Sequence, residues 1–342
     1  MLLVFCVHAA GNAGTFFLGR NFDLASFASL STPGERLLFW LYRSHHGVFL
    51  FFVLSGFLIG KLWWPRPTSS YARFALRRTL RIYPAFLVAF AASIPFAQLT
   101  SAWRPPDWPL LAANLLFLNG APGATIRGLN TVTWSLFYEM TFYLAFPLLL
   151  TAFVRRWPSR ARWLAWIGIG VPLLAAVGGG DTLYLCWSLL FCGVAVALHE
   201  SAWRNACRRI PAAAVVLAYL AVTTAAMLDV LSPLVAILQF GAVTALLLGK
   251  CLGGGQWLAR LFASQPMVAL GRISYSFYLV HFMIVVLLAN ALAQHRGSTS
   301  ILVQTLTVFA AGFVASSIAA TALWFVAERP YFRLGRQRPA SA

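Results

Sequence analysis

The chain has 342 residues, of which 60% are hydrophobic and only 10% charged, and its mean hydropathy is +0.77. Soluble domains carry roughly 25% charged residues, so this composition excludes an ordinary soluble globular domain and points to a polytopic membrane protein. The formal net charge of +18 does not indicate a nucleic-acid partner, because the basic residues gather in alternate loops between apolar runs, where they report topology.

Apolar stretches of the length that crosses a bilayer recur near residues 1–17, 46–62, 82–100, 131–153, 163–180, 182–199, 211–228, 232–250, 267–293 and 301–327. The expected fold is all-α, with about ten transmembrane helices in one bundle. Residues 1–342 then form a single integral-membrane domain, with 329–342 a cytoplasmic tail. The longest connections, 18–45 and 101–130, read as interfacial loops.

The first run, MLLVFCVHAAGNAG, contains His8 with Asn12 one turn further on. In the second, Gly56 and Gly60 of SGFLIG suit close helix packing through small residues, and Ser55 is a candidate cavity-lining group. Arg77, Arg78 and Arg81 of RRTLRIYP come just before the third run. A basic flank is a topology signal, yet these three also share one helical face, and planar guanidinium forks suit phosphate oxygens.

Glu139 lies well inside the fourth run, TVTWSLFYEMTFYLAFPLLL, and Thr131, Ser135 and Tyr143 recur on its face at steps of four. In GRISYSFYLVHFMIVV of the ninth run, Ser274, Tyr278 and His281 fall on one face. An ionisable group at membrane depth is costly and is a functional candidate by default; the plainer alternative is that each pairs with a neighbour to hold helices together. His199-Glu200 begins like an HExxH zinc motif, but Trp203 and Arg204 follow and the second histidine is missing. Cys6, Cys186, Cys192, Cys207 and Cys251 have no metal-ligand or disulfide spacing, so no metal is expected.

Lys61, Arg66, Arg73, Arg77, Arg78 and Arg81 flank one connection, and Arg155, Arg156, Arg160 and Arg162 another. Arg204, Arg208 and Arg209, then Lys250 and Arg260, then Arg329, Arg333, Arg336 and Arg338 continue on the same side. Arg104, Arg127 and Arg296 are scattered among Asp107, Asp181 and Asp229 on the other. By the positive-inside rule both termini are cytoplasmic. Arginine outnumbers lysine 24 to 2, which fits a GC-rich genome and a bacterial inner membrane.

These segments together resemble the integral-membrane acyltransferase 3 family. The resemblance rests on VHAAG around His8, HGVFLFFVLSGFLIG from His46 to Gly60, RRTLRIYP from Arg77 to Pro84 and TWSLFYEMTFYLAFPLL from Thr133 to Leu149. LGRISYSFYLVHF from Leu270 to Phe282 and the closing ERPYFR from Glu328 to Arg333 are similar to the last two spans of the family. The resemblance implies transfer of an acyl group, expected to be acetyl, from acyl-CoA to a hydroxyl of a carbohydrate or other acceptor. It makes His8 the candidate general base, a task suited to an imidazole with a pKa of about 6.5. Glu139 becomes the residue that orients His8 or stabilises its cationic form, and Arg77, Arg78 and Arg81 become the holders of the CoA phosphates. Ser55, Ser135, Tyr143, Tyr278 and His281 remain candidates for lining the cavity.

Direct transfer is preferred to an acyl-enzyme route, since no activated serine or cysteine can be picked out by spacing. Acceptor identity and oligomeric state are not legible. The alternative from another class is a secondary transporter or flippase in which His8, Glu139 and His281 relay protons or bind a polar solute. In the resembling family an arginine typically stands eleven residues before the first-span histidine. That position would precede Met1 here, so either an upstream extension carries it or this member lacks it.

The loop charges give a test of sidedness. Single cysteines at Asp107 or Asp181, in a cysteine-free background, are expected to react with an impermeant thiol reagent in intact cells, while one at Ser159 stays protected. The reverse pattern would invert the topology and move the expected CoA site outside.

Overall fold

The computed structural model describes residues 1–44, 46–63, 70–100, 107–253, 257–294 and 300–331. Arg66, Arg104, Arg296, Arg333, Arg336 and Arg338, with most of the expected tail, lie outside these residues. Long runs of Leu, Ala, Phe and Val satisfy their backbone internally as helices, the solution a bilayer demands of an open chain. Among the described residues no strand forms.

In chain order the helices are α1 (Leu2–Leu18), α2 (Pro33–Arg43), α3 (Gly47–Trp63), α4 (Tyr71–Thr100), α5 (Trp108–Leu115), α6 (Trp134–Arg156), α7 (Trp163–Val177) and α8 (Leu185–Leu198). Then come α9 (Glu200–Arg208), α10 (Ala212–Met227), α11 (Pro233–Leu252), α12 (Trp257–Phe262), α13 (Gln265–Arg272), α14 (Ser274–Gln294) and α15 (Ile301–Leu323), the last continued by a π turn over Trp324–Glu328. Among the described residues, six helical stretches are long and apolar enough to cross a membrane, or seven if the pair Thr182–Leu198 and Glu200–Arg208, bent by 89°, is one span. Leu2–Leu18, Trp163–Val177 and Ala212–Met227 are apolar but shorter. The expected number of about ten is therefore not reached by length alone.

Several expected boundaries move. The third span starts at Tyr71 rather than near 82; its 30 residues make a rod of about 45 Å against a hydrocarbon core of about 30 Å. Arg77, Arg78 and Arg81, expected just before the span on one helical face, thus ride on the spanning helix itself. The 18–45 connection contains α2, whose start is fixed by a capping box between Thr32 and Glu35. The ninth run breaks at Ile273, between α13 and α14, where the Ser274 hydroxyl donates to the Gly271 carbonyl at 2.8 Å. Lys250, expected on the cytoplasmic surface, is buried, and its ammonium donates to the Cys207 carbonyl at 2.9 Å. That carbonyl lies in the last turn of α9, the negative end of the helix dipole.

The chain divides into two compact units. The first comprises Met1–His45, Leu76–Phe137 and Leu270–Ala342. Here α1 packs against α14 and α15 through aromatic edges, with the Phe5 ring 5.8 Å from Phe277 and 5.6 Å from Phe313. The segment leading into α6 is pinned by two asparagines. The Asn114 amide donates to the Leu110 and Arg127 carbonyls and its oxygen accepts from the Leu129 N–H. The Asn130 amide donates 2.7 Å to the Leu279 carbonyl of α14. Phe117 adopts a left-handed φ of 61°, which a non-glycine residue tolerates only under strong tertiary constraint. Its buried ring, 4.5 Å from Phe86 and 5.4 Å from Tyr83, supplies that constraint.

The second unit comprises His46–Ala75 and Tyr138–Ala269. Its centre is the contact of α3 with α8, made possible by glycines on both helices. A Cβ on Gly56 would fall 1.7 Å from the Leu190 carbonyl oxygen, and one on Gly193 would fall 2.0 Å from that of Val53. SGFLIG is therefore a close-packing seam. Neighbouring bulk is stacked around it, with Phe142 and Phe146 at 5.1 Å and Phe142 and Phe191 at 5.3 Å.

Gly56→Ala should force α3 away from α8 backbone against backbone and cost about 1–3 kcal/mol, lowering the thermal midpoint. Gly170→Ala on α7, where a Cβ meets nothing within 4 Å, should be neutral or slightly stabilising through helix propensity. Equal midpoints for the two variants would remove the seam.

Candidate active site

In the first unit, α1 and α14 bring two of the sequence-identified histidines together. The ring centroids of His8 and His281 are 5.2 Å apart, and Phe282, next to His281 on α14, packs its ring 5.0 Å from His8. The Asn12 amide donates to the His8 carbonyl at 2.8 Å, so the residue one turn on supports the helix at that point. His8 is half-buried, whereas His281 is 1% exposed. The His281 Nδ1 lies 3.0 Å from the Phe277 carbonyl and 2.9 Å from that of Tyr278. Carbonyls only accept, so these contacts assign the proton to Nδ1 and leave Nε2 of the neutral ring as a lone-pair acceptor.

Tyr278, one helical turn before His281, joins the start of α6. Its hydroxyl donates to the Val132 carbonyl, and the Ser135 and Tyr278 hydroxyls are 2.8 Å apart. The tyrosine proton is already used on Val132, so Ser135 is the donor in the second contact. Ser135 is buried and Tyr278 half-buried. Thr131 does not continue the stripe: it lies in a 3-10 turn before α6 and is exposed.

The carboxylate cluster belongs to the second unit. Glu139 is 5% exposed. Its Oε1 accepts from the Tyr143 hydroxyl one turn along α6, and the Ser55 hydroxyl of α3 stands 3.5 Å from it, at the outer limit of a hydrogen bond. Ser55 and Tyr143 are both buried. The structure thus brings two sequence-identified hydroxyls, Tyr143 of α6 and Ser55 of α3, to one oxygen of Glu139, with Ser55 next to Gly56 of the close-packing seam.

Arg77, Arg78 and Arg81 sit on α4 at i, i+1 and i+4, with Arg77 and Arg81 exposed and Arg78 half-buried. Exposed guanidinium groups one turn apart can converge on phosphate oxygens. Beside them lies Glu328 of ERPYFR, which the sequence pattern does not single out. It is 3% exposed in the π turn after α15, and its Oε1 accepts from both the backbone N–H, at 3.1 Å, and the hydroxyl of Ser276. Ser276 lies in the first turn of α14, so the carboxylate satisfies an orphan N–H at the positive end of that helix. Arg81 interacts electrostatically with the same carboxylate, and the Tyr275 hydroxyl donates 2.9 Å to the Ile82 carbonyl of α4. An acid closing a long apolar run is the signal that could have flagged Glu328, since intramembrane carboxylates are rare.

The family model described as an acyltransferase domain matches residues 1–326. The chain is 31% identical over 332 residues to the acyltransferase MdmB of Streptomyces mycarofaciens, covering 86% of this chain and 82% of that protein. It is 32% identical over 178 residues to nodulation protein 10 of Rhizobium leguminosarum, covering 44% and 47%. It is 28% identical over 158 residues to the peptidoglycan O-acetyltransferase OatA of Listeria monocytogenes, covering 40% of this chain and 24% of that one. No solved structure matches. The chain is an integral-membrane enzyme that belongs to the acyltransferase 3 family.

Proposed function

We propose that this acyltransferase moves an acyl group, expected to be acetyl, from acyl-CoA to a hydroxyl of a carbohydrate or glycan-like acceptor. The observation that carries the reading is His8, a half-buried imidazole held on an apolar helix beside His281 and Phe282. A base at that depth can take a hydroxyl proton away from bulk water, where general-base catalysis is most effective when the group is positioned in advance. The activity for which OatA is named, O-acetylation of peptidoglycan, supports a glycan hydroxyl as the acceptor class. Membership of an acyltransferase family removes the ground for the carrier alternative.

In this reading His8 takes the proton from the acceptor hydroxyl as its oxygen attacks the thioester carbonyl, and returns it to the departing sulfur. Glu139, buried but served by Tyr143 and Ser55, is the second residue that this reading assigns to the acyl-transfer step. Arg77, Arg78 and Arg81 hold the phosphates of the donor at the cytoplasmic end of α4. Counting the three shorter apolar helices and the bent pair as spans gives the ten-span bundle, as one catalytic domain in a bacterial inner membrane with both termini cytoplasmic.

His8→Ala and Glu139→Gln should each abolish transfer from acetyl-CoA to peptidoglycan glycan fragments while the detergent-purified proteins remain folded. Full turnover in either variant removes that residue from the mechanism, and an inactive wild-type protein with these substrates contradicts the donor and acceptor assigned. Arg81→Ala should weaken acetyl-CoA binding, measured calorimetrically, by about tenfold, the scale of a charge-assisted phosphate contact. Unchanged affinity with impaired membrane insertion would make the basic face a topology signal only.

A further inference from the structure

The His281 side chain is more elaborate than helix packing requires. Its ring stacks on Phe277 at 5.6 Å with an interplanar angle of 15°, a place that a phenylalanine or leucine could fill. Instead the sequence buries a second nitrogen there. Nδ1 is committed to two backbone carbonyls, while Nε2 has no hydrogen-bond partner among the described residues. Buried polar atoms are nearly always partnered, so an orphan acceptor calls for a role. The His8 ring stands 5.2 Å away, close enough for a side-chain rotation to bring the two rings edge to edge.

We propose that His281 is a positioning residue for acyl transfer: its Nε2 accepts a hydrogen bond from the His8 ring once His8 has taken the acceptor's proton. The inference rests on the assignment of His8 as the base. The proton leaves the acceptor oxygen for one nitrogen of His8, and the oxygen forms the new bond to the thioester carbonyl carbon. The other His8 nitrogen then donates to His281 Nε2, which disperses the charge without removing a proton. When the carbon–sulfur bond breaks, His8 returns its proton to the sulfur, and the contact relaxes. The clamp of two carbonyls on Nδ1–H prevents the ring from flipping and keeps its lone pair on Nε2, the ordering role that a second partner plays for any histidine pair. Complete burial argues against His281 as the base itself, because the acceptor must reach that group, and only His8 of the two is accessible.

The test compares wild type, His281→Phe, His281→Gln and His8→Ala as purified full-length proteins. Phenylalanine keeps the ring and removes the lone pair; glutamine places an amide oxygen near the position of Nε2. Reactivity of His8 toward diethyl pyrocarbonate, followed by peptide mass spectrometry at pH 8 without any substrate, reports its nucleophilicity directly. Loss of the acceptor should slow this reaction about fivefold in His281→Phe, and His281→Gln should restore most of it. Acetyl transfer should show the same order, with kcat down about 100-fold in the phenylalanine variant and the acetyl-CoA KM unchanged. Wild-type His8 reactivity in His281→Phe, or a glutamine variant as slow as the phenylalanine one at an unchanged thermal midpoint, would overturn the proposal. Activity surviving in His8→Ala would instead sink the assignment of the base, while the substrate-free reactivity comparison would still decide whether the two rings are coupled.

Discussion

Taking a polar side chain out of water at membrane depth is the cost around which the polar chemistry of this chain is organised. In hydrocarbon no solvent rescues an unmatched donor or charge, so each such group must find its partner within the protein. Glu139 is given two hydroxyls, Glu328 both donors of Ser276, and Lys250 the carbonyl end of a helix. The Nε2 of His281 is among the few buried side-chain atoms without a hydrogen-bond partner among the described residues, and its ring lies beside that of His8.

One helix carries much of the resulting architecture in the first unit. Within two turns of α14, Tyr275 reaches the backbone of α4, Ser276 meets the carboxylate of the π turn, Tyr278 joins the start of α6, and the Leu279 carbonyl receives Asn130. His281 then faces His8 of α1. Because consecutive residues serve different neighbours, a shift of α14 along its axis disturbs the histidine pair, the basic end of α4 and the entry to α6 together. In the second unit the corresponding constraint is steric rather than polar. Gly56 and Gly193 allow α3 and α8 to touch backbone to backbone, which sets Ser55 at the height of Glu139.

Helices, their apolar character and the glycine seam were legible because they depend on local composition and on single residues whose size decides a contact. The family was legible from the ordered segments around His8, Gly56, Arg81, Glu139 and His281. Span ends were less so: hydropathy falls at Arg77, but the backbone has no reason to leave the helix there, and α4 runs on from Tyr71. Lys250 reads as a loop charge in sequence, and only the approach of the α9 terminus makes it a buried donor. The pairing of His8 with His281 joins residues 273 positions apart in the chain, and no spacing rule reaches that far. Glu328 was hidden for the same reason, since its partner Ser276 lies 52 residues away.

The most direct measurement is an experimental structure of the full-length protein in nanodiscs with a non-hydrolysable acetyl-CoA analogue, a ketone in place of the thioester. Acyl transfer at His8 requires the ketone carbon within about 4 Å of the path between the His8 ring and an incoming hydroxyl, with the phosphates against Arg77, Arg78 and Arg81. An analogue bound with its carbonyl far from His8, or with its phosphates away from the α4 arginines, would contradict the mechanism.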